Sequence, residues 1–142
     1  MTPHFISDLM ARAYYWQRPW SEKAVTDTLA HPATRLWTTD HAILLMQVVE
    51  NQAEVLGMAT DPQMQRQGLA KRLLSNAHAD LQAEGITHII LEVAAPNFPA
   101  RALYNALGYA QAGTRPAYYK SVDGVVADAI IMTCHLPKDD KF

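Results

Sequence analysis

The sequence is short of several things, and each shortage narrows what the chain can be. It carries one cysteine, Cys134, among 142 residues, so no internal disulfide can form and a reducing, cytoplasmic setting is expected. Neither charge dominates: 12 basic residues face 14 acidic ones, for a net charge of -2. That balance argues against a broadly basic nucleic-acid-binding surface. No apolar run approaches the roughly 20 residues that a membrane-spanning helix needs. The opening "MTPHFISDLM" lacks the basic region and apolar core of a leader. The histidines (His4, His31, His41, His78, His88, His135) show no H-x-x-x-H or Cys/His spacing, so no metal site is expected. No repeat, linker or low-complexity tract stands out, and a monomer or weak dimer is expected. What is present is 49% hydrophobic and 18% charged residues, the composition of a folded chain large enough for one domain with its own core.

Periodicity supplies the elements. Phe5, Ile6, Leu9, Met10 and Ala13 recur at helical spacing and predict a first helix to about Tyr15. "RPW" breaks it, and Ser21 is placed to cap a second helix through Leu29 that stops before Pro32. "TRLWTT", "AILLMQVVE" and "AEVLGMAT" predict three strands joined by short polar turns. From Leu69 the period turns helical, with Leu73, Ala77 and Leu81 on one face and Gly85 to close it. "ITHIILEVA" is apolar almost throughout, as in a buried central strand. Asn97 and Pro99 open a further helix that ends at Gly108. Two last strands follow, around Asp123-Gly124, and "KDDK" reads as a solvated tail. This order predicts a mixed α/β domain, a largely antiparallel sheet with helices on its faces.

The chemistry concentrates at "DPQMQRQGLAKRL", where a strand gives way to a helix. A helix start offers unpaired backbone N–H groups and the positive end of the helix dipole. Gly68 permits close approach, and Arg66, Lys71 and Arg72 add charge, so the spot suits a phosphate as well as it suits a plain helix start. It is neither a P-loop nor a dinucleotide fingerprint. The form is [QR]-x-x-G-x-[GA], with Ala70 at the last position.

This segment resembles the pyrophosphate-binding motif of the GNAT acetyltransferases. The likeness continues through "LEVAAPNFPARALYNALGY". "RPWSEK" and "RPAYYKSVDGVVADAIIM" are similar to the ribosomal-protein-alanine N-acetyltransferase (RimI) branch of that family. The resemblance implies the GNAT fold, with its two central strands splayed apart, and acetyl-CoA as cosubstrate. The main chain of Met58, Ala59 and Thr60 would pair with the pantetheine arm. The stretch Arg66, Gln67, Gly68, Leu69, Ala70 and Lys71 would hold the diphosphate, and Asn97 would bond the cofactor. Glu92 would be the general base and Tyr104 the proton donor. The acceptor implied is the N-terminal alanine of a small-subunit ribosomal protein, with Trp20, Tyr118 and Tyr119 as candidates for lining its groove.

Taken without the resemblance, these residues have plainer readings. Glu92 fits a structural ion pair as well as it fits catalysis, and Tyr104 fits a packed tyrosine. Trp20, Tyr118 and Tyr119 fit core or turn aromatics equally well. Cys134 sits among apolar residues and reads as inert core. One departure stands out: "VAAPN" replaces the family's commoner "VRASN", placing Ala94 and Pro96 beside Asn97. That difference touches the acceptor more than the acetyl donor and leaves room for a small-molecule amine, another protein N-terminus or a lysine as substrate.

Overall fold

The computed structural model describes residues 1–138; residues 139–141 of the expected tail lie outside them. Two helices come first, α1 (Pro3–Ala13) and α2 (Glu22–Ala30). Thr2 and Ser21 cap them by accepting from the backbone N–H of Phe5 and Ala24. The first helix is shorter than its periodicity predicts. Tyr14 leaves helical angles at ψ 130, although its N–H still reaches the Met10 carbonyl at 2.8 Å. Strands β1 (Thr34–Thr39), β2 (Ala42–Val49) and β3 (Gln52–Thr60) form the expected meander. Helix α3 (Leu69–Ala83), strand β4 (His88–Ala94), helix α4 (Phe98–Ala106) and strands β5 (Ala110–Lys120) and β6 (Val126–His135) complete the chain.

The strands form one sheet in the order β1-β2-β3-β4-β6-β5, and only β3 and β4 run parallel. Side chains alternate across it. Leu44 and Met46 of β2, with Ile89 and Leu91 of β4, pack beneath Leu73, Leu74, Ala77 and Leu81 of α3. Each fully buried leucine there contributes about 1.5–3 kcal/mol, well beyond the helix's intrinsic propensity. Ile43 and Leu45 point the other way, against Ile6, Leu9 and Met10 of α1 and Val25 of α2. Helices therefore cover both faces, as the sequence predicts.

The feature that positions the site is a break in pairing. Strands β3 and β4 are in register at Gln52–His88, Ala53–Ile89 and Glu54–Ile90, and the ladder ends there. The cause is a bulge on the neighbouring ladder. Leu45 faces Gly57 while Met46 faces Val55, so Leu56 is an extra residue on β3. A bulge bends and twists its strand. Beyond it β3 stays bonded to β2 and β4 to β6, and the two central strands diverge.

Candidate active site

The divergence opens a cavity of about 740 Å³, within the range of small-molecule sites. Its walls come from both faces of the sheet. On the α3 side, Arg66 at φ 66 and Gly68 at φ 78 turn the chain sharply into the helix. Thr2, Ser21 and Asn97 each cap a helix with a side chain, but Gly68 has none to offer α3. The first helical bond runs from the Arg72 N–H to the Gly68 carbonyl at 3.0 Å. The preceding N–H groups at Leu69, Ala70 and Lys71 are thus left without an intrahelical partner. Arg66, Gly68, Leu69, Ala70 and Lys71 line the cavity. The Gln67 side chain turns back to the Met64 sulfur at 4.0 Å, and neither Gln67 nor Arg72 reaches the cavity wall.

Met58, Ala59 and Thr60 line the same cavity from the edge of β3 that faces away from β2. Asn97 is there too, and its Oδ1 also caps α4 by accepting from the Ala100 N–H at 3.4 Å. Uncapped N–H groups flanked by two cations suit a diphosphate, and an unpaired strand edge suits an amide-bearing arm. The residues present therefore fit coenzyme A. Among the described residues no cluster suited to a metal ion is found.

Glu92 alternates with Leu91 and Val93, so it lies on the opposite face, the one that α1 and α2 cover elsewhere in the sheet. Its Oε1 sits 3.2 Å from the Arg115 Nε, and the two side chains are 20% and 55% exposed. Its Oε2 is buried and has no hydrogen-bond partner. Arg115 also lies over the Tyr118 ring, 5.4 Å from its centre. No local signal in the sequence marks Arg115, because its contact depends on a register across three strands. That register is itself irregular: Arg115 pairs with Ala129 but Tyr119 pairs with Ala127, so residues 116–118 bulge out of β5. Asp128 holds the bulge by accepting from the N–H of Ala117, at 2.9 Å and φ 50. The bulge brings Tyr118 and Tyr119 to the cavity.

Tyr104 comes from α4, on the α3 side, and lines the cavity too. Burial pushes its hydroxyl up to about 12. Trp20 is not brought to the cavity. It packs with the α1–α2 cluster against β2 and β3, for the plain reason that its ring has apolar partners there. Tyr14 takes a place there that the sequence did not assign. Its hydroxyl is buried and makes no hydrogen bond of good geometry; burial and then Tyr104 hold it above the ordinary range, against the smaller lowering effect of the nearby Met58 backbone N–H. Only the early end of α1 frees it, and a local helix pattern does not show that. Away from the cavity, His88 is exposed and packs edge-to-face on His135 at 4.3 Å. Burial pushes the Cys134 thiol up, in keeping with an inert core cysteine.

Comparison with known proteins places this geometry in a class. Residues 6–109 match the model of the acetyltransferase (GNAT) family, and the chain belongs to that family. It is an acetyl-CoA-dependent N-acetyltransferase with the GNAT fold. Within the family it is similar to the ribosomal protein bS18-alanine N-acetyltransferase of Escherichia coli K12, with 37% identity over 134 residues, 89% of this chain and 90% of that protein. The enzyme of the same name from Haemophilus ducreyi is 34% identical over 122 residues, 83% and 84% of the two chains. The crystal structure of the Escherichia coli ribosomal-protein-S18-alanine N-acetyltransferase superposes with a TM-score of 0.86 at 32% identity, covering 99% of this chain and 92% of that one.

Proposed function

We propose that this chain acetylates the N-terminal alanine of a small-subunit ribosomal protein. The observation that carries the reading is the bare Glu92 Oε2 in the cavity between the splayed strands, across the sheet from the uncapped start of α3. The acceptor comes from the relatives that share the fold and a third of the sequence. Arg66, Lys71 and the N–H groups of Leu69, Ala70 and Lys71 would hold the diphosphate. The edge of β3 at Met58–Thr60 and Asn97 align the arm. Acetyl-CoA supplies the thioester that the amine attacks.

Glu92 works with one oxygen tied to Arg115 and the other free. Arg115 fixes the carboxylate's rotation, and Oε2 takes the proton that leaves the amine, directly or through a water. Tyr104, on the α3 side of the cavity, would donate to the thioester sulfur as it departs. At about 12 it is a weaker acid than an ordinary thiol near 8.5, so it serves as a hydrogen-bond donor without complete proton transfer. A chain N-terminus titrates at about 7.7–8.0, against about 10.4 for lysine, and so offers more neutral amine at physiological pH.

A pH dependence follows. Burial raises Tyr104 to about 12, so it stays protonated through about pH 10. The rate with a subsaturating alanine-terminated peptide is expected to rise as the amine loses its proton, through about pH 8, and then to stay level to about pH 10. A falling limb between pH 8 and 10 would contradict the Tyr104 assignment.

A second reading rests on "VAAPN". Ala94 lines the cavity along with Asn97, and Pro96 does not; the small Ala94 side chain, where the family commonly has arginine, leaves room for a small amine as acceptor. Parallel kinetics with the ribosomal N-terminal peptide and with spermidine decide between them. Turnover of spermidine alone overturns the first reading.

A further inference from the structure

Among the described residues, two side-chain polar atoms are buried without a hydrogen-bond partner, Tyr14 Oη and Glu92 Oε2. Buried polar atoms are almost always paired, and an orphan points to a partner that is absent. Both residues line the same cavity. Both lie on the face of the sheet that α1 and α2 cover, Glu92 on β4 and Tyr14 against β3. The hydroxyl has a built seat. A Cβ at Gly57 would come within 3.0 Å of it and within 3.2 Å of Met10 Cε, so the glycine on the bulged strand leaves the room it occupies. Its segment is also fixed. The Tyr14 N–H holds the Met10 carbonyl at 2.8 Å, and the next carbonyl, of Tyr15, accepts from the Val122 N–H at 2.9 Å.

The two orphans have opposite needs. A carboxylate oxygen only accepts hydrogen bonds. Tyr14 keeps its proton, because burial raises it, so its hydroxyl has a hydrogen to donate. A ligand that satisfies both carries a donor for one wall of the cavity and an acceptor for the other. Building on the N-terminal acetyltransferase reading, we infer that Tyr14 is a specificity-determining residue that donates a hydrogen bond to the carbonyl of the acceptor's first residue while the α-amine donates to Glu92. A peptide N-terminus has that carbonyl next to its amine-bearing carbon. A lysine side chain, a polyamine or an alkylamine has none there. The pair thus selects chain termini over other amines, beyond what amine acidity alone provides.

The test compares Tyr14→Phe with the native enzyme on two acceptors, an alanine-terminated peptide and n-butylamine, with acetyl-CoA affinity and thermal midpoint as controls. The substitution removes a hydroxyl that makes no well-formed hydrogen bond within the protein, so the fold is expected to hold. The preference for peptide over butylamine, as the ratio of kcat/KM values, is expected to fall about 10- to 100-fold, as for loss of one buried hydrogen bond, chiefly through KM for the peptide. An unchanged ratio overturns the inference, whether both rates fall together or neither moves. A native enzyme that acetylates butylamine but no peptide overturns the underlying acceptor reading as well, and that result is distinct from peptide turnover that ignores Tyr14→Phe.

Discussion

Glu92→Gln is expected to lower kcat by about 10²–10⁴-fold, the usual contribution of a general base, while acetyl-CoA affinity stays within about twofold. The amide keeps the shape of the side chain and removes its capacity to take a proton. Stability separates this role from a structural one. If Glu92 served chiefly as the ion-pair partner of Arg115, the substitution would cost stability and spare turnover. The pair is partly exposed, and such pairs contribute at most about 1 kcal/mol. Oε2 is meanwhile a buried oxygen without a hydrogen-bond donor, and burying a neutral amide there costs less than burying a carboxylate. The expected result is a thermal midpoint that is unchanged or slightly raised, with turnover nearly abolished. Full turnover together with a lowered midpoint would remove Glu92 from the chemistry.

Gly68→Val is expected to weaken acetyl-CoA binding by roughly 100-fold, as for loss of one or two charge-assisted hydrogen bonds to the diphosphate. Nothing in the protein lies within 4 Å of a Cβ added there, so the fold does not exclude the side chain on packing grounds. Two other things do. The backbone sits at φ 78, which costs a β-branched residue about 1–2 kcal/mol, and the new methyl groups occupy the approach to the N–H groups that follow. Gly68→Ala separates the effects: it meets the same backbone strain but adds one carbon, so it is expected to lose similar stability and much less affinity. Calorimetric titration with coenzyme A measures both. Undiminished affinity in Gly68→Val would contradict the diphosphate assignment.

Much of this was legible in the chain itself. Local signals set most of the elements. Ser21 caps α2, Leu69 opens α3, and the alternation around Leu91 puts Glu92 out of phase with the core. What was not legible depends on contacts distant in sequence. Arg115 meets Glu92 because β6 lies between their strands, and a three-residue bulge pinned by Asp128 brings Tyr118 and Tyr119 to the cavity. Trp20 carried the right chemistry for an acceptor groove, yet the apolar cluster beneath α1 takes it. Tyr14 read as the end of a helix, and its role depends on Gly57, 43 positions further along, leaving room for its hydroxyl. Pattern reading fixes which face a residue joins. It does not fix which of several aromatics reaches a cavity that two diverging strands create.

Above all, the site is proposed to acetylate a chain N-terminus. Tandem mass spectrometry tests it most directly, on a peptide with the ribosomal protein's N-terminal alanine and one internal lysine, after incubation with the enzyme and acetyl-CoA. The expected product carries a single acetyl group, on the alanine α-amine, formed at least about 100-fold more slowly when Glu92→Gln replaces the native enzyme. An acetyl group on the lysine alone, or an unmodified peptide from an enzyme that readily acetylates spermidine, would contradict it.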